Sequence, residues 1–167
     1  SLYGKSQSIL KVERTMLNSM QRMSAIASKT KEYVDAVTGT GAKILDTRKT
    51  TPGFRALEKL AVKIGGGVNH RFALYDAIML KDNHIDMSGG VEQAILKTKT
   101  YLKDNNLELP LIVEARSLKE IEGILNAGGV DRILIDNFNY ADTRKAIDLI
   151  GSKCATESSG GINLKTI

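Results

Sequence analysis

Cationic side chains cluster within residues 43–85, where two short apolar runs each end in charged residues. Arg48 and Lys49 follow the first run, Lys81 follows the second, and a His-Arg pair lies between them. Arginine holds a carboxylate or a phosphate through two parallel hydrogen bonds, and lysine binds either as a point charge. The segment therefore predicts a pocket for small, highly anionic substrates. Its candidate binding residues are Arg48, Lys49, His70, Arg71 and Lys81.

Two acids further along the sequence are candidates for the other half of a site. Glu114 and Asp136 follow two consecutive apolar runs, so parallel strands would place their side chains side by side. Such a pair could hold sugar hydroxyls or Mg²⁺, which takes oxygen ligands and keeps several waters. Ion pairing with the nearby cations is the alternative, and the sequence leaves both open. Zinc is disfavoured, because the single Cys154 is remote from both histidines.

A small-residue segment near the end of the sequence is typical of a phosphate site. Ser159, Gly160 and Gly161 precede Asn163, which can cap a helix that begins there. Free N–H groups and the helix dipole at such a start favour an anion. A simple turn is the alternative, but the position after a predicted barrel strand favours phosphate.

Three further cations are expected to face water. A Thr-Pro pair at 51–52 predicts the start of a helix in which basic residues recur every fourth position. A lone cationic helix face is usually solvated, and we predict the same here. These cations are Arg55, Lys59 and Lys63.

The spacing of the apolar residues predicts the elements that hold these candidates. An apolar stripe predicts a helix over residues 8–26, and a second helical segment covers 29–37. Further along, short apolar runs alternate with helices, two of which Ser117 and Asn139 can cap. This alternation predicts a parallel sheet. Each run ends in polar residues, as strands do at the mouth of a (β/α) barrel. We therefore predict an α/β fold, an incomplete (β/α) TIM-like barrel, truncated and preceded by helices. The predicted strands cover residues 43–45, 77–80, 109–113, 132–135 and 153–156.

Composition limits the classes of protein that fit the sequence. A formal charge of +5 suits either nucleic acid or small anions, but only 5% of residues are aromatic and the cations form no block. We therefore expect no nucleic-acid partner. No apolar run reaches membrane-spanning length, so no membrane partner is expected. The single Cys154 suits a reducing cytoplasm.

The two ends of the sequence predict a piece of a longer polypeptide. The first residue is Ser1 rather than methionine, and residues 163–167 begin a helix that does not continue. A helix of that length could not bury an apolar face. We therefore expect residues 1–167 to form one partial catalytic barrel domain.

Six motifs carry a resemblance to a known family, and they span nearly the whole chain. The arginine-lysine and His-Arg motifs are highly specific at this spacing. In chain order the motifs are Glu13-Arg14-Thr15, Asp46-Thr47-Arg48-Lys49-Thr50-Thr51-Pro52, Gly65-Gly66-Gly67 with Asn69-His70-Arg71, Lys81-Asp82-Asn83-His84, Asp136-Asn137 and Ser159-Gly160-Gly161. On these motifs the sequence resembles the quinolinate phosphoribosyltransferases, also called carboxylating nicotinate-nucleotide pyrophosphorylases.

The resemblance implies a fold and a reaction. The family combines an N-terminal sandwich domain with an open, incomplete α/β barrel. This chain would be most of the barrel, with the sandwich domain and the C-terminal end of the barrel absent. The implied enzyme joins quinolinate to phosphoribosyl pyrophosphate with Mg²⁺, giving nicotinate mononucleotide, pyrophosphate and carbon dioxide in NAD biosynthesis.

The resemblance also implies a role for each candidate residue. The two carboxylates of quinolinate would be held by Arg48, His70, Arg71 and Lys81. Lys49 would contact the phosphoribosyl substrate, while ribose hydroxyls and Mg²⁺ would be bound by Glu114 and Asp136. These three would be the catalytic residues. The 5-phosphate would be bound by Ser159, Gly160 and Gly161. Arg14 would reach into the partner subunit's site, which implies a homodimer.

The implied chemistry needs no protein nucleophile. As pyrophosphate leaves, the ribose becomes oxocarbenium-like, and nearby cations stabilise the departing charge. The quinolinate nitrogen attacks from a fixed pose, so positioning carries much of the rate. The resulting pyridinium nitrogen then acts as an electron sink for loss of the adjacent carboxylate. The sequence accordingly offers no Ser-His-Asp or Cys-His arrangement.

The sequence departs from the family pattern in places, and two other functions remain open. Residues 112–114 are Ile-Val-Glu where the family often has Glu-Val-Glu, and Ala25 stands where glycine is usual. The family's final glycine-rich phosphate loop would lie beyond Ile167, so we expect the isolated 167 residues to be inactive or nearly so. One alternative is a related barrel transferase for another acidic heterocycle. The other is a non-catalytic basic module that binds nucleic acid.

Overall fold

A computed structural model describes residues 3–167, which form six helices and four strands in two compact units. Unit 1 comprises residues 3–72 together with Asn163–Ile167. Unit 2 comprises Ala73–Ile162. In this described part of the chain, no helix is both long enough and apolar enough to cross a membrane.

Unit 1 is built on two packed helices, α1 (Ser6–Ala36) and α2 (Arg55–Ile64). The prediction of two separate helices before residue 38 was wrong, because Ala27 and Ser28 continue α1 without a break. Neither residue interrupts a helix, and alanine has the highest helix propensity of all residues. The single long helix positions α2 along its second half.

The segment that enters α2 forms a turn before the helix begins. The main-chain N–H of Phe54 donates to the carbonyl oxygen of Thr51 at 2.9 Å, and Gly53 has a φ of +76°. Proline followed by a residue with positive φ is the pattern of a type II turn. Phe54 is the N-cap residue, so the helix start predicted at the Thr-Pro pair 51–52 was wrong.

Unit 2 contains a parallel four-stranded sheet in the order β1-β2-β3-β4. The predicted alternation of strands and helices is confirmed. The strands are β1 (Ile78–Leu80), β2 (Leu111–Ala115), β3 (Arg132–Asp136) and β4 (Ala155–Ser159). The helices are α3 (Asp82–Ser88), α4 (Val91–Asp104), α5 (Leu118–Ala127) and α6 (Tyr140–Ile150).

Two of the predicted strands differ from the structure. Residues 43–45 do not join the sheet, and Leu45 instead makes an isolated parallel bridge to Val68 within unit 1. The last strand begins two residues later than predicted and includes the polar residues 157–159. Main-chain bonds to β3 extend this strand to Ser159, although its sequence loses apolar character before that point.

The two faces of the sheet have different surroundings. On one face, Val113 and Ile135 belong to the main apolar core, which α4, α5 and α6 cover. The opposite face, here called the inner face, carries Ile112 and Leu134 in a small apolar cluster. Side chains alternate along a strand, so Glu114 shares the inner face with them. The sheet is therefore one wall of an incomplete (β/α) barrel, as predicted.

Serine and asparagine side chains cap the starts of two helices as the sequence predicts, but the third predicted helix start does not form. The N–H of Glu120 donates to Ser117 Oγ at 3.2 Å, and the N–H of Asp142 donates to Asn139 Oδ1 at 2.9 Å. Asn163 also accepts an N–H at its side chain, but residues 163–167 form a single turn. The helix start predicted after residue 161 is therefore wrong.

Candidate active site

Unit 1 holds Asp46 and Lys59 as a buried ion pair. Asp46 follows the bridge residue Leu45, and Lys59 lies on α2. The Nζ atom of Lys59 contacts Asp46 Oδ1, and the two side chains are only 4% and 7% exposed, respectively. Charges leave water at low cost only when each meets an opposite charge and further hydrogen bonds. The prediction that Lys59 faces water was therefore wrong.

Arg55, one helical turn earlier on α2, is also bound by the protein rather than by water alone. Its Nε donates to Thr50 Oγ1 at 3.1 Å, and its two terminal nitrogens donate to the carbonyl oxygens of Phe72 and Arg48, each at 3.2 Å. These bonds hold the loop that contains Arg48. Of the three cations predicted to be solvated, Lys63 is the exposed one.

Arg48 has a guanidinium donor that the described protein does not satisfy. Its Nε atom is buried, and within residues 3–167 no acceptor lies at hydrogen-bond distance from it. A buried donor left without a partner costs about 1–3 kcal/mol. Lys49, the next residue, is exposed, and its main-chain N–H donates to Thr47 Oγ1 at 3.0 Å. Arg14, on α1, is exposed as well.

The buried ion pair also holds the main chain of His70. The N–H of His70 donates to Asp46 Oδ1 at 2.8 Å, and its carbonyl oxygen accepts from Lys59 Nζ at 2.9 Å. The N–H of Arg71 donates to Nδ1 of His70 at 2.7 Å. An imidazole that accepts at Nδ1 carries its proton on Nε2 when neutral. Unit 1 therefore ties the segment of Arg48 to the segment of His70 and Arg71.

In unit 2, Lys81 and Glu114 face each other at the carboxyl ends of β1 and β2. The Nζ atom of Lys81 lies 3.5 Å from Glu114 Oε2. The side chain of Glu114 is 10% exposed and that of Lys81 is 45% exposed, so the lysine is the more accessible member of the pair. The N–H of Lys81 donates to Nδ1 of His84 at 3.0 Å. The side chain of His84 therefore caps the start of α3.

Asp136 and Ser159 end the neighbouring strands β3 and β4 and are connected through Asn137. The side-chain amide of Asn137 donates to Asp136 Oδ2 at 2.7 Å, and its main-chain N–H donates to the carbonyl oxygen of Ser159 at 2.9 Å. Asn137 has a φ of +58°, in the left-handed region that asparagine tolerates better than most residues. Unit 2 therefore places Asp136 and Ser159 on either side of one asparagine.

Gly160 is packed so closely on Asn137 that a side chain has no room. A Cβ on Gly160 would lie 2.5 Å from Asn137 Cγ and closer still to Oδ1, and the φ of Gly160 is +90°. We expect Gly160→Ala to lower the free energy of unfolding of the full-length protein by about 2–4 kcal/mol, since overpacking adds to backbone strain. Urea denaturation measures this change.

Gly89→Ala is the matched control for Gly160→Ala. Gly89 has a φ of +88°, close to that of Gly160, but open space where its Cβ would lie. It shares the backbone strain without the clash, so we expect a loss of about 1–2 kcal/mol. Equal losses at both positions would contradict the close contact between Gly160 and Asn137.

The surroundings of Cys154 argue against its use as a nucleophile. Burial raises the pKa of the Cys154 thiol, and the nearby Asp131 carboxylate acts in the same direction. A thiol with a raised pKa stays protonated at neutral pH and is a poor nucleophile.

In unit 1, burial of Glu58 would raise the pKa of its carboxyl group, but hydrogen bonds from Arg22 and Thr51 outweigh burial and lower that pKa.

A family model described as the C-terminal domain of quinolinate phosphoribosyl transferase matches residues 26–167. The chain belongs to this family. The resemblance carried by the six motifs is thereby confirmed. The quinolinate phosphoribosyltransferases are therefore the family with which the candidate residues are compared.

Curated members of the family match this chain along nearly its whole length. The decarboxylating quinolinate phosphoribosyltransferase 1b of Nicotiana tabacum is 42% identical over 178 residues, covering 98% of this chain and 50% of the relative. The carboxylating nicotinate-nucleotide pyrophosphorylase of Mycobacterium leprae is 45% identical over 168 residues, covering 99% of this chain and 57% of the relative. The chain therefore spans about half the length of these relatives.

Solved structures of the quinolinate phosphoribosyltransferase family have the same fold. The crystal structure of NadC from Streptococcus pyogenes has a TM-score of 0.89 at 45% identity, covering 98% of this chain and 56% of that one. Nicotinate-nucleotide pyrophosphorylase from Ehrlichia chaffeensis has a TM-score of 0.85 at 40% identity, covering 92% and 54%. These similarities confirm the predicted fold class.

Three residues that contact the candidate site residues or their neighbours were missing from the predicted set. Asp46 and Asn137 lie inside the recognised motifs, but they bind neighbouring protein groups. Lys59 lies outside those motifs and pairs with Asp46. A signal was present in the sequence, because an aspartate directly after an apolar run needs a cationic partner if the strand end is buried.

Proposed function

We propose that the full-length protein carrying this chain transfers a phosphoribosyl group from phosphoribosyl pyrophosphate to quinolinate. Nicotinate mononucleotide, pyrophosphate and carbon dioxide would be the products, in NAD biosynthesis. Membership of the family supports this reaction. The observation that carries the proposal is the buried Nε of Arg48, which finds no acceptor among the described residues. A carboxylate of quinolinate would accept this hydrogen bond and pair with the charge.

Each unit, taken by itself, carries residues that are assigned to the substrates. In unit 1, Arg48, His70 and Arg71 are assigned to the carboxylates of quinolinate, and the exposed Lys49 is assigned to phosphoribosyl pyrophosphate. In unit 2, Lys81 is assigned to quinolinate, because its half-exposed ammonium leaves donors for a ligand beyond Glu114. Holding both carboxylates fixes the ring, so that its nitrogen can attack the ribose from one pose.

Glu114 and Asp136 are proposed to hold Mg²⁺ and the ribose hydroxyls. Both end neighbouring strands on the inner face, and each uses one oxygen in the bond to Lys81 or Asn137. Among the described residues, no three His, Cys, Asp or Glu side chains form a metal cluster. Mg²⁺ usually takes one or two carboxylates plus substrate phosphates, so this donor set fits. When bound, the ion would offset charge on the departing pyrophosphate.

Ser159, Gly160 and Gly161 are proposed to bind the 5-phosphate. Positive φ values of +90° and +68° at the two glycines support a loop whose main chain can approach an anion closely. Residues 163–167 form one turn rather than a helix, so they add no helix dipole to this loop. The proposed decarboxylation needs no protein nucleophile.

We further propose a homodimer in which Arg14 acts in the partner's site. Arg14 is exposed on the first half of α1, where Leu10, Leu17 and Met20 are also exposed. An apolar surface beside an arginine is typical of a subunit interface. The exposed part of the apolar stripe that predicted this helix supports the proposed interface.

Subunit mixing tests this arrangement. Arg14→Ala and Glu114→Gln dimers should each be nearly inactive. An equimolar mixture should regain about a quarter of wild-type activity after subunit exchange, because half the dimers are mixed and each of these has one of its two sites intact. The rate of nicotinate mononucleotide formation after mixing measures the recovery. A mixture no more active than its components would exclude the action of Arg14 in trans.

The compartment and the full domain organisation are parts of the same proposal. A cytoplasmic location is supported by the single cysteine of the sequence. Relatives from Arabidopsis thaliana and Nicotiana tabacum are named chloroplastic and mitochondrial, respectively. An N-terminal sandwich domain and the remaining barrel end are proposed from the family, and these stay predictions.

Carboxyl-labelled quinolinate tests the proposed reaction. The full-length protein should release labelled carbon dioxide only when phosphoribosyl pyrophosphate and Mg²⁺ are both present, and the isolated 167 residues should release nearly none. Turnover of another acidic heterocycle but not of quinolinate would favour a related transferase. Salt-dependent nucleic-acid binding that outcompetes quinolinate would favour a basic binding module instead.

A further inference from the structure

One buried ion pair holds both main-chain groups of His70. Asp46 accepts the N–H of His70 at 2.8 Å, and Lys59 donates to its carbonyl oxygen at 2.9 Å. The two charged side chains are almost completely buried. A pair of opposite charges therefore binds a single peptide segment from both sides.

Asn69 ties the same pair to the preceding residue. Its side-chain amide contacts Asp46 Oδ2 and donates to the carbonyl oxygen of Lys59 at 2.9 Å. Both carboxylate oxygens of Asp46 are thus in use. Replacing a buried ion pair by apolar residues is often neutral or stabilising, so stability alone is a weak reason for this arrangement. The geometry of the segment that the pair holds is a stronger one.

The ion pair also affects the imidazole of His70. The N–H of Arg71 donates to Nδ1 of His70 at 2.7 Å, so the orientation of the 70–71 peptide sets which ring nitrogen carries the proton. Asp46 lies two residues before Arg48. The same ion pair therefore also ties the segment that contains Arg48 to the segment that contains His70 and Arg71. The ion pair therefore controls the tautomer of one site residue and the placement of others.

We propose that Asp46 and Lys59 are positioning residues for the dicarboxylate substrate. They act through His70 and its neighbours and touch no substrate themselves. This inference rests on the proposed function for its kinetic consequence. It goes beyond that function by assigning substrate affinity to two side chains buried behind the site.

Kinetics of the full-length enzyme test the proposal with three variants. We expect Lys59→Met to raise KM for quinolinate about tenfold or more, while KM for phosphoribosyl pyrophosphate changes less than about twofold. Lys63→Met is the matched control, because Lys63 is exposed on the same helix four residues later. It should leave both KM values within about twofold of wild type.

The double variant Asp46→Asn/Lys59→Met separates positioning from stability. It removes both buried charges, so we expect its Tm to lie within about 3 °C of wild type. KM for quinolinate should nevertheless stay about tenfold raised, because the bond from Lys59 to the carbonyl oxygen of His70 is lost. If Tm and KM return to wild-type values together, the pair is merely structural. This variant also carries the test if Lys59→Met alone does not fold.

Nitrogen-15 NMR of the imidazole ring tests positioning without any activity. In the wild-type protein His70 should be the tautomer with its proton on Nε2, and in the double variant the two tautomers should mix. A mixture in the wild type would overturn the inference. Failure to turn over quinolinate together with the expected NMR result would instead refute the proposed function and leave the positioning of His70 supported.

Discussion

Replacing Arg48 by methionine in the full-length protein should lower kcat/KM for quinolinate about 10²–10³-fold, since breaking a buried charge pair costs several kcal/mol. Methionine keeps the aliphatic stem but deletes the guanidinium whose buried Nε has no acceptor in the described chain. A substrate carboxylate would then enter a partly buried site without its partner. Initial rates at varied quinolinate and saturating phosphoribosyl pyrophosphate measure the effect.

Arg144→Met is the matched control for Arg48→Met, because Arg144 is exposed on α6. It removes the same charge from the protein, so any loss through net charge alone should be equal in both variants. We expect kcat/KM for Arg144→Met to stay within about twofold of wild type. A similar small effect for Arg48→Met would refute the assignment of Arg48 to a carboxylate.

Glu114→Gln should lower kcat about 10²–10³-fold in the full-length protein, since it removes the carboxylate that we propose holds the ribose hydroxyls and Mg²⁺. Glutamine keeps the size of the side chain at a position only 7% exposed. It also leaves Lys81 without the carboxylate that lies 3.5 Å away. Steady-state rates measured over a range of Mg²⁺ concentrations give the effect, and excess Mg²⁺ should not restore wild-type kcat.

Glu122→Gln serves as the control for Glu114→Gln, because Glu122 is exposed on α5. Its kcat should remain within about twofold of wild type. Full activity of Glu114→Gln would remove this acid from the site and leave Asp136 as the remaining proposed carboxylate.

Local sequence patterns predicted much of the fold because they report local physics. The caps at Ser117 and Asn139 were predicted correctly, since a side-chain oxygen three residues before a free N–H acts within one helical turn. The parallel sheet followed from apolar runs that alternate with helices. The last strand was misplaced because its main-chain bonds to β3 extend past its apolar residues to Ser159.

Burial of charge was the feature that local patterns predicted least well. Lys59 and Lys63 occupy the same predicted helix face, yet one is buried and the other exposed. The difference arises because Asp46 and the main chain of His70 meet Lys59, and both are distant in sequence. Helical periodicity states which side chains share a face, but not what that face contacts.

By itself the sequence determined the family, the fold class and the identity of the charged candidates. Motif spacing and apolar periodicity are properties of neighbouring residues, and both are present without the folded chain. Only the tertiary structure decided that Arg48 holds an unpartnered buried donor, that Lys59 pairs with Asp46, and that Asn137 packs on Gly160. Each of these depends on which distant groups share a water-excluded space, and only packing determines that.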